Sequence, residues 1–462
     1  MKRGVIVAVA LLAGALGAQE AKPVPLSQRQ AHVSPAWITQ GVMYQLWLRG
    51  FTPEGTLKAA EARLPKVAEL GATVIYLSPV CLQDDDMRKE HWAPRQRKTD
   101  NPRNPYRIKD YFEVDPEYGT KEDLRAFVKE AHRLGLRVLM DMVYVHCGPT
   151  AKIISEHPDF MKRNPDGSLK LAQWGFPATD FANPALREYF WKNRAFWVRE
   201  FDVDGFRCDV ADGIPLDFWE TARERLEKIR PDVGILAEGL RKEDQLKAFD
   251  LDYGWGYDKA WADAAKVRKQ WERMAAERPR GGAKFVRFIE NHDMVQDAGT
   301  NRLDRAWGVP RVDAVLVALF TLDGVPFLYN SQEIADTAKQ SLYAKWPANW
   351  AHGETPEGRA RFALCQKLCA LRKAEKALNR GDLVWLETDH PEAVLAFLRT
   401  AGGEQVLSVV NLRGEPVSVR VRAPALPASL TSCVSAGVKA QSAAGGALAL
   451  TLDPYGYYVG KK

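Results

Sequence analysis

Along most of the chain, runs of about five apolar residues alternate with longer segments whose apolar positions recur at helical period. The runs at 42–48, 74–79, 138–143, 204–209, 234–238, 285–289 and 325–329, with a weaker one at 249–253, predict strands. Segments 57–70, 121–134, 184–200, 216–229, 259–276, 312–322 and 358–373 predict helices between and after them. Strands that are apolar throughout are buried on both faces, as in a parallel sheet covered by helices. Eight such units predict a closed (β/α)8 TIM barrel of the α/β class, with an open doubly wound sheet as the runner-up. From about residue 381 the texture changes to strands at 383–386, 393–399, 405–412, 417–423 and 447–452, separated by turn signals. That predicts a C-terminal antiparallel β domain, a β-sandwich, over 381–462. The barrel then takes 19–380, with an insertion at 147–183 after its third strand.

Polar residues break the apolar pattern at the ends of strands, where barrel enzymes place their chemistry: Asp141, Asp209, Glu238 and Asp293. Side chains alternate along a strand, so Arg207 and Asp209 share one face while Phe206 and Cys208 share the other. A guanidinium beside a carboxylate favours its ionised form, which predicts that Arg207 holds Asp209 ready as a nucleophile; an ordinary buried ion pair is the plainer alternative. The charge run at 84–90 reads as a solvated face.

Composition narrows the function classes. The chain carries 65 Lys and Arg against 59 Asp and Glu, a net charge of +6. Two of those positives, Lys2 and Arg3, precede an apolar run at 5–12 and small residues at 13–18, the three parts of a secretory signal peptide, here 1–18. The remaining excess is too small and too scattered to argue for nucleic acid. The leader's apolar run is too short to span a bilayer, so the expectation is an exported protein, periplasmic or extracellular, with no membrane attachment once the leader is removed. The pattern leaves the oligomeric state open. Cys365 and Cys369 lie four apart on a predicted helix, which favours burial over a disulfide, and Cys208 reads as packing. The absence of Cys-x-x-Cys gives a zinc site little support.

Four clusters carry the candidate chemistry: Asp141 to His146, Gly205 to Asp209, Ala237 to Gly239, and Phe288 to Asp293. Brought to one barrel mouth, they offer carboxylates, imidazoles and a guanidinium, a set suited to cleaving an acetal. One carboxylate attacks the anomeric carbon while a protonated one supplies the leaving oxygen with its proton.

In order and content these clusters resemble the four conserved regions of the α-amylase family of glycoside hydrolases (family 13). The Ile75 to Pro79 segment, Pro105-Tyr106, Asp110 to Phe112, Asp115 to Thr120, Gly324 to Pro326 and the ending at 453–459 agree with it. The resemblance implies retaining hydrolysis of α-glucosidic bonds, α-1,4 foremost, in starch-type glucans or maltodextrins. It makes Asp209 the nucleophile, Glu238 the acid and base, and Asp293 the third carboxylate. Arg207, His146 and His292 would orient the nucleophile and bind sugar, Tyr106 would stack on it, and Asp141 would support Arg207.

An exo-acting α-glucosidase or an α-glucan transglycosylase shares these residues and stays open, as does a non-catalytic glucan-binding relative, although all three carboxylates are retained. A phosphate-binding barrel enzyme lacks its glycine-rich loop. Only about twenty residues separate the leader from the first strand, which weighs against the cyclodextrin-hydrolysing branch. No cofactor is expected: where many members carry an Asn that binds calcium, this chain has Val145, and it has Asp212-Gly213 in place of a frequent Lys-His pair. Trp92, Trp174, Phe176, Trp255 and Tyr257 are the loop aromatics that could stack on sugar rings.

Overall fold

A computed structural model describes residues 24–99, 101–256, 260–282, 284–295, 302–422, 429–444 and 447–462. The leader at 1–18 and Tyr257 lie outside the described residues. Among the described residues, no helix is long and apolar enough to cross a membrane.

The strands of the first three quarters are β1 (Met43–Leu46), β2 (Val74–Leu77), β3 (Cys81–Gln83), β4 (Ile108–Val114), β5 (Arg137–Met142), β6 (Gly205–Cys208), β7 (Gly234–Ala237), β8 (Leu251–Tyr253), β9 (Phe285–Arg287) and β10 (Val325–Tyr329). All but β3 and β4 pair in parallel in chain order, and β10 closes onto β1, so the sheet is a barrel and not an open one. Residue alternation sorts the two faces. Met43, Tyr76, Leu139, Leu236, Tyr253, Val286 and Phe327 fill the interior. Tyr44, Ile75, Met140, Phe206, Cys208 and Ile235 point out under the helices. The register aligns Asp141, Arg207 and Leu236 across β5, β6 and β7, which puts Asp141 and Arg207 inside and Cys208 outside. At the crossing of β6 and β7 the backbones approach so closely that a Cβ on Gly205 would stand 1.8 Å from the Gly234 carbonyl oxygen.

Local chemistry sets the helix ends. Thr120 accepts from the Asp123 N–H, and Asp123 Oδ2 accepts from the Thr120 N–H at 2.7 Å, a capping box that starts helix Lys121–Arg133. The single helix expected at 57–70 is two, Leu57–Glu61 and Leu64–Leu70. Pro65 lacks an N–H and its ring excludes the carbonyl one turn earlier, so the second helix starts around it. Cys365 and Cys369 are buried on helix Pro356–Ala374, and all six cysteines are free.

Most of the charge run at 84–90 is the solvated face expected of it, with Asp85, Arg88, Lys89 and Glu90 exposed, but its first residue is not. Asp84 is fully buried: it takes the Arg107 guanidinium at 2.8 Å, the Thr150 N–H at 2.6 Å and the Thr150 hydroxyl at 2.8 Å. It therefore ties the loop after β3 to the connection after β5. No local pattern announces a partner 66 residues away.

The C-terminal strands are β11 (Asp382–Trp385), β12 (Glu387–Thr388), β13 (Val394–Ala401), β14 (Glu404–Asn411), β15 (Val417–Arg422), β16 (Thr431–Ala444) and β17 (Ala447–Lys461). They form one antiparallel path, with β16 alongside β17. β17 pairs β15 through its first half and β14 through its second, and the sheet encloses its own apolar core of Val394, Leu407, Val421 and Leu450. Its other face, with Phe397, Val410 and Tyr457, joins the core over the barrel helices. β16 escaped the apolar pattern because its Ser, Ala and Lys residues carry no strand signal; pairing with β17 makes it a strand.

Candidate active site

Arg207 is fully buried inside the barrel and organises the carboxylates at the mouth. Its Nη1 donates to Asp141 Oδ1 and to Asp209 Oδ1, each at 2.8 Å, and its Nη2 lies 2.8 Å from Glu238 Oε2. Burial is the largest influence on Asp141 and Asp209 and raises both carboxyls, Asp209 well above the ordinary range; Arg207 pulls each down, and Glu238 and Asp141 push Asp209 up further. Arg207 thus favours the ionised form of Asp209, as expected of it, but burial outweighs that pull. For Asp141 and Asp209 the pull of the shared cation does not offset burial, and their carboxyls stand above the ordinary range. Asp293 opens to the cavity with its side chain 38% exposed, and its carboxyl too is raised by its sunken position against the pull of Arg207 and Arg95.

The two histidines are neutral, for burial lowers His146 to about 4 and His292 to about 3. Hydrogen bonds assign the His292 proton. Its backbone N–H donates to Gln45 Oε1 at 3.2 Å, which leaves Gln45 Nε2 as donor to His292 Nδ1 at 2.6 Å. The ring proton then sits on Nε2, 2.6 Å from the Tyr106 hydroxyl, which donates in turn to Asp141 Oδ2 at 3.0 Å. Tyr76 donates to the same oxygen at 2.8 Å. His146 Nε2 faces the Tyr106 carbonyl at 3.0 Å and carries its proton there, so the buried, unpartnered Nδ1 is an acceptor.

A cavity of about 440 Å³, ordinary for a small-molecule site, is lined by Asp209, Glu238, Asp293, Tyr106 and His146, with Arg95, Asn104, Trp174, Phe176, Val210, Leu342 and Tyr343 around them. All three carboxylates expected to do chemistry thus meet at one surface. Arg207 and His292 stand behind the lining, so Arg207 holds carboxylates and His292 holds Tyr106. The Tyr106 ring lies parallel to His292, 5.6 Å between centroids, and to Trp47, 6.2 Å.

The loop aromatics divide. Trp174 and Phe176 line the cavity beside His146, whereas Trp92 is buried with its indole N–H on the Asp86 carbonyl, and Trp255 packs on Tyr253 and Phe288. Gln45, Trp47 and Tyr76 were missed as site residues. A glutamine that is fully buried within an apolar strand was the available signal for the first.

Val210, next to Asp209, has φ 44, a left-handed conformation that a β-branched residue adopts only under constraint. Its N–H donates to Glu238 Oε2 at 2.9 Å, so the bend serves the acidic pair. Val145 packs its methyl groups toward Gly213 and the core. It offers no oxygen, and no group of three or more His, Cys, Asp or Glu side chains among the described residues is placed to hold a metal. The donor set there does not fit calcium.

Comparison with known proteins converges on one family. The α-amylase catalytic domain model matches residues 27–167 and 162–358, and the maltogenic amylase C-terminal domain model matches 383–459. A cyclomaltodextrinase of Geobacillus thermopakistaniensis is 27% identical over 92% of this chain and 77% of its own length. An intracellular maltogenic amylase of Bacillus subtilis is 27% identical over 75% of this chain and 60% of its own. The crystal structure of a noncanonic maltogenic α-amylase from Thermotoga neapolitana superposes with a TM-score of 0.78 at 25% identity, covering 91% of this chain and 98% of that one. With the catalytic model matched over most of the barrel and the carboxylate cluster at its mouth, the chain belongs to the α-amylase family of glycoside hydrolases.

Proposed function

We propose that the chain hydrolyses α-glucosidic bonds, α-1,4 foremost, in maltodextrins and starch-type glucans with retention of configuration. The observation that carries this is the single Arg207 guanidinium joined to Asp141, Asp209 and Glu238 beneath a cavity that Asp293 and His146 also line.

Asp209 Oδ1 is engaged by Arg207, which leaves Oδ2 to attack the anomeric carbon. Glu238 Oε2 is engaged by Val210 N–H and Arg207, which leaves Oε1 to give a proton to the glycosidic oxygen as the C1–O bond breaks. In the second half, Glu238 as a carboxylate takes a proton from water, the water oxygen bonds to C1, and Asp209 departs ionised. His146 Nδ1 accepts from a sugar hydroxyl, and Asp293 accepts from others as positive charge builds at C1. No step runs through calcium, and activity is expected to survive a chelator.

A mechanism-based 2-deoxy-2-fluoro or 5-fluoro glucosyl fluoride should label Asp209 covalently, read by mass spectrometry of the peptide around it. Asp209→Asn, folded by circular dichroism, should lose at least about 10⁴ in kcat. Label on another residue, or an unchanged rate, would sink the nucleophile role.

An exo-acting reading has one specific support. Two segments that line the cavity with Asn104, Leu342 and Tyr343 are fastened together: Asn101 Nδ2 donates to the Tyr343 carbonyl at 2.5 Å, and Arg49 Nη1 to the carbonyls of Arg103, Leu342 and Tyr343. A wall fixed in this way would limit the number of sugars the cavity of about 440 Å³ admits. Product analysis on maltoheptaose, soluble starch, pullulan and a cyclodextrin separates the options: one short product means exo cleavage, mixed oligosaccharides mean endo cleavage, and longer products mean transfer. Export rests on the leader alone; a mature N-terminus near residue 19 in the exported fraction would bear it out.

A further inference from the structure

We infer that Asp212 is a positioning residue for the acid and base carboxylate, clamping the loop that carries Glu238; this rests on the reading of Glu238 given above. Asp212 Oδ2 accepts the N–H of Leu240 at 2.7 Å and Oδ1 accepts that of Arg241 at 3.3 Å. One carboxylate thus holds the two peptide groups two and three residues beyond Glu238, and ionised acceptors make the stronger bonds of this type. Gly239 lies against the same carboxylate, for a Cβ there would stand 2.5 Å from Asp212 Oδ1. The residue after Glu238 has no side chain because Asp212 fills that space.

The short 3-10 turn Ala211–Gly213 is laced to the loop by further bonds. Ala211 N–H donates to the Glu238 carbonyl at 2.9 Å, and Arg241 Nη2 donates to the carbonyls of Ala211 at 3.2 Å and Ile214 at 2.9 Å. The turn is entered through Val210, whose left-handed backbone presents its N–H to Glu238 Oε2 at 2.9 Å. Strain of this kind persists only where the surroundings over-determine it, and the lacing by Asp212 supplies that constraint. Glu238 is therefore held at its head by Val210 and Arg207, and at its stem by Asp212. Asp212 is exposed and does not line the cavity, so it touches no substrate and works through Glu238.

The test separates acid positioning from general damage by changing the leaving group. A sugar leaving group needs a proton from Glu238; fluoride departs from α-glucosyl fluoride without one. Because kcat/KM covers only the steps through formation of the glycosyl-enzyme, it isolates that difference. Asp212→Ala should lose about 30-fold to 100-fold in kcat/KM on maltotriose, the order expected for displacing a catalytic group by about 1 Å, and stay within about threefold of the parent on α-glucosyl fluoride. Asp212→Asn, which still offers one acceptor oxygen, should fall between, and serves if the alanine variant does not fold. Glu238→Gln is the reference and should show the same leaving-group pattern more strongly. Equal losses on both substrates for Asp212→Ala, or no loss on either, would overturn the clamp. If Glu238→Gln itself loses equally on both, the acid assignment fails first and the clamp falls with it.

Discussion

Replacing Arg207 by Gln removes the one cation that buried Asp141 and Asp209 share with the partly exposed Glu238, while leaving an amide of similar reach. Unit charges 2.8 Å apart attract by about 1.5 kcal/mol in water and about 6 kcal/mol at an effective dielectric of about 20. Since the charge is divided among Asp141, Asp209 and Glu238, the lower figure applies to each. For Asp141 and Asp209, which Arg207 pulls down, that is about one pK unit upward once the interaction is lost. Asp209 must be ionised to attack, so the acid limb of kcat/KM against pH should shift about one unit or more to higher pH. The loss of two oriented oxygens adds a fall of about 10² or more at the optimum.

Stability should respond with a definite sign. Carboxyls whose folded pKa values lie above their unfolded values stabilise the fold at low pH and cease to as pH rises through the folded values. The variant's melting temperature should therefore decline between pH 5 and 8 more steeply than the parent's. Arg207→Lys keeps the charge but not the fork, so its acid limb should stay near the parent's while its rate falls. The pair of pH profiles on maltotriose, with melting curves at the same pH values, is the assay. An unmoved acid limb in Arg207→Gln, with kcat/KM within threefold of the parent, would refute the account of a shared cation.

Gly205→Ala would drive a methyl group into the Gly234 carbonyl of the neighbouring barrel strand, 1.8 Å away, where neither backbone can yield. It should cost about 3 kcal/mol or more, seen as a lower urea midpoint, and a parent-like midpoint would contradict the strand crossing. Asp84→Ala leaves the buried Arg107 guanidinium unpaired at a local cost of about 3–5 kcal/mol. The loop at 84–104 should be nicked faster by protease and the cavity wall should lose activity with it; unchanged nicking would remove Asp84 as the tie. With folded values of about 4 and 3, neither His146 nor His292 should titrate between pH 5 and 8 by NMR. Because each folded value is below the unfolded one, their neutral burial contributes stability above about pH 6.5 that is lost as pH falls toward 4. A titration near pH 6.5 for either ring would contradict the hydrogen-bond assignment.

Sequence alone established eight β/α units and favoured a barrel, because those signals are local, while the pairing of β10 with β1 decided closure. Buried parallel strands read as continuous apolar runs, helices carry their own period, and Asp141, Asp209, Glu238 and Asp293 interrupt the pattern where strands end. Alternation along β6 likewise sends Arg207 inward and Cys208 outward. Tertiary structure decided whatever depends on sharing. Arg207 was expected to serve Asp209 with support from Asp141; only the side-by-side β5, β6 and β7 showed Glu238 on the same guanidinium, and burial at that depth outweighs the downward pull of Arg207 on Asp209. Asp84 looked solvated with the rest of its run because Arg107 and Thr150 are distant in sequence, and β16 looked like a loop because its strand character lies in the backbone of β17. Asp212 could be read from sequence as a departure at its position, but its hold on the Glu238 loop could not, since the two segments meet only where β6 and β7 lie side by side. Periodicity records what a residue needs from its own element, whereas protonation and positioning depend on how many neighbours compete for the same atom, and only the folded chain assembles those neighbours.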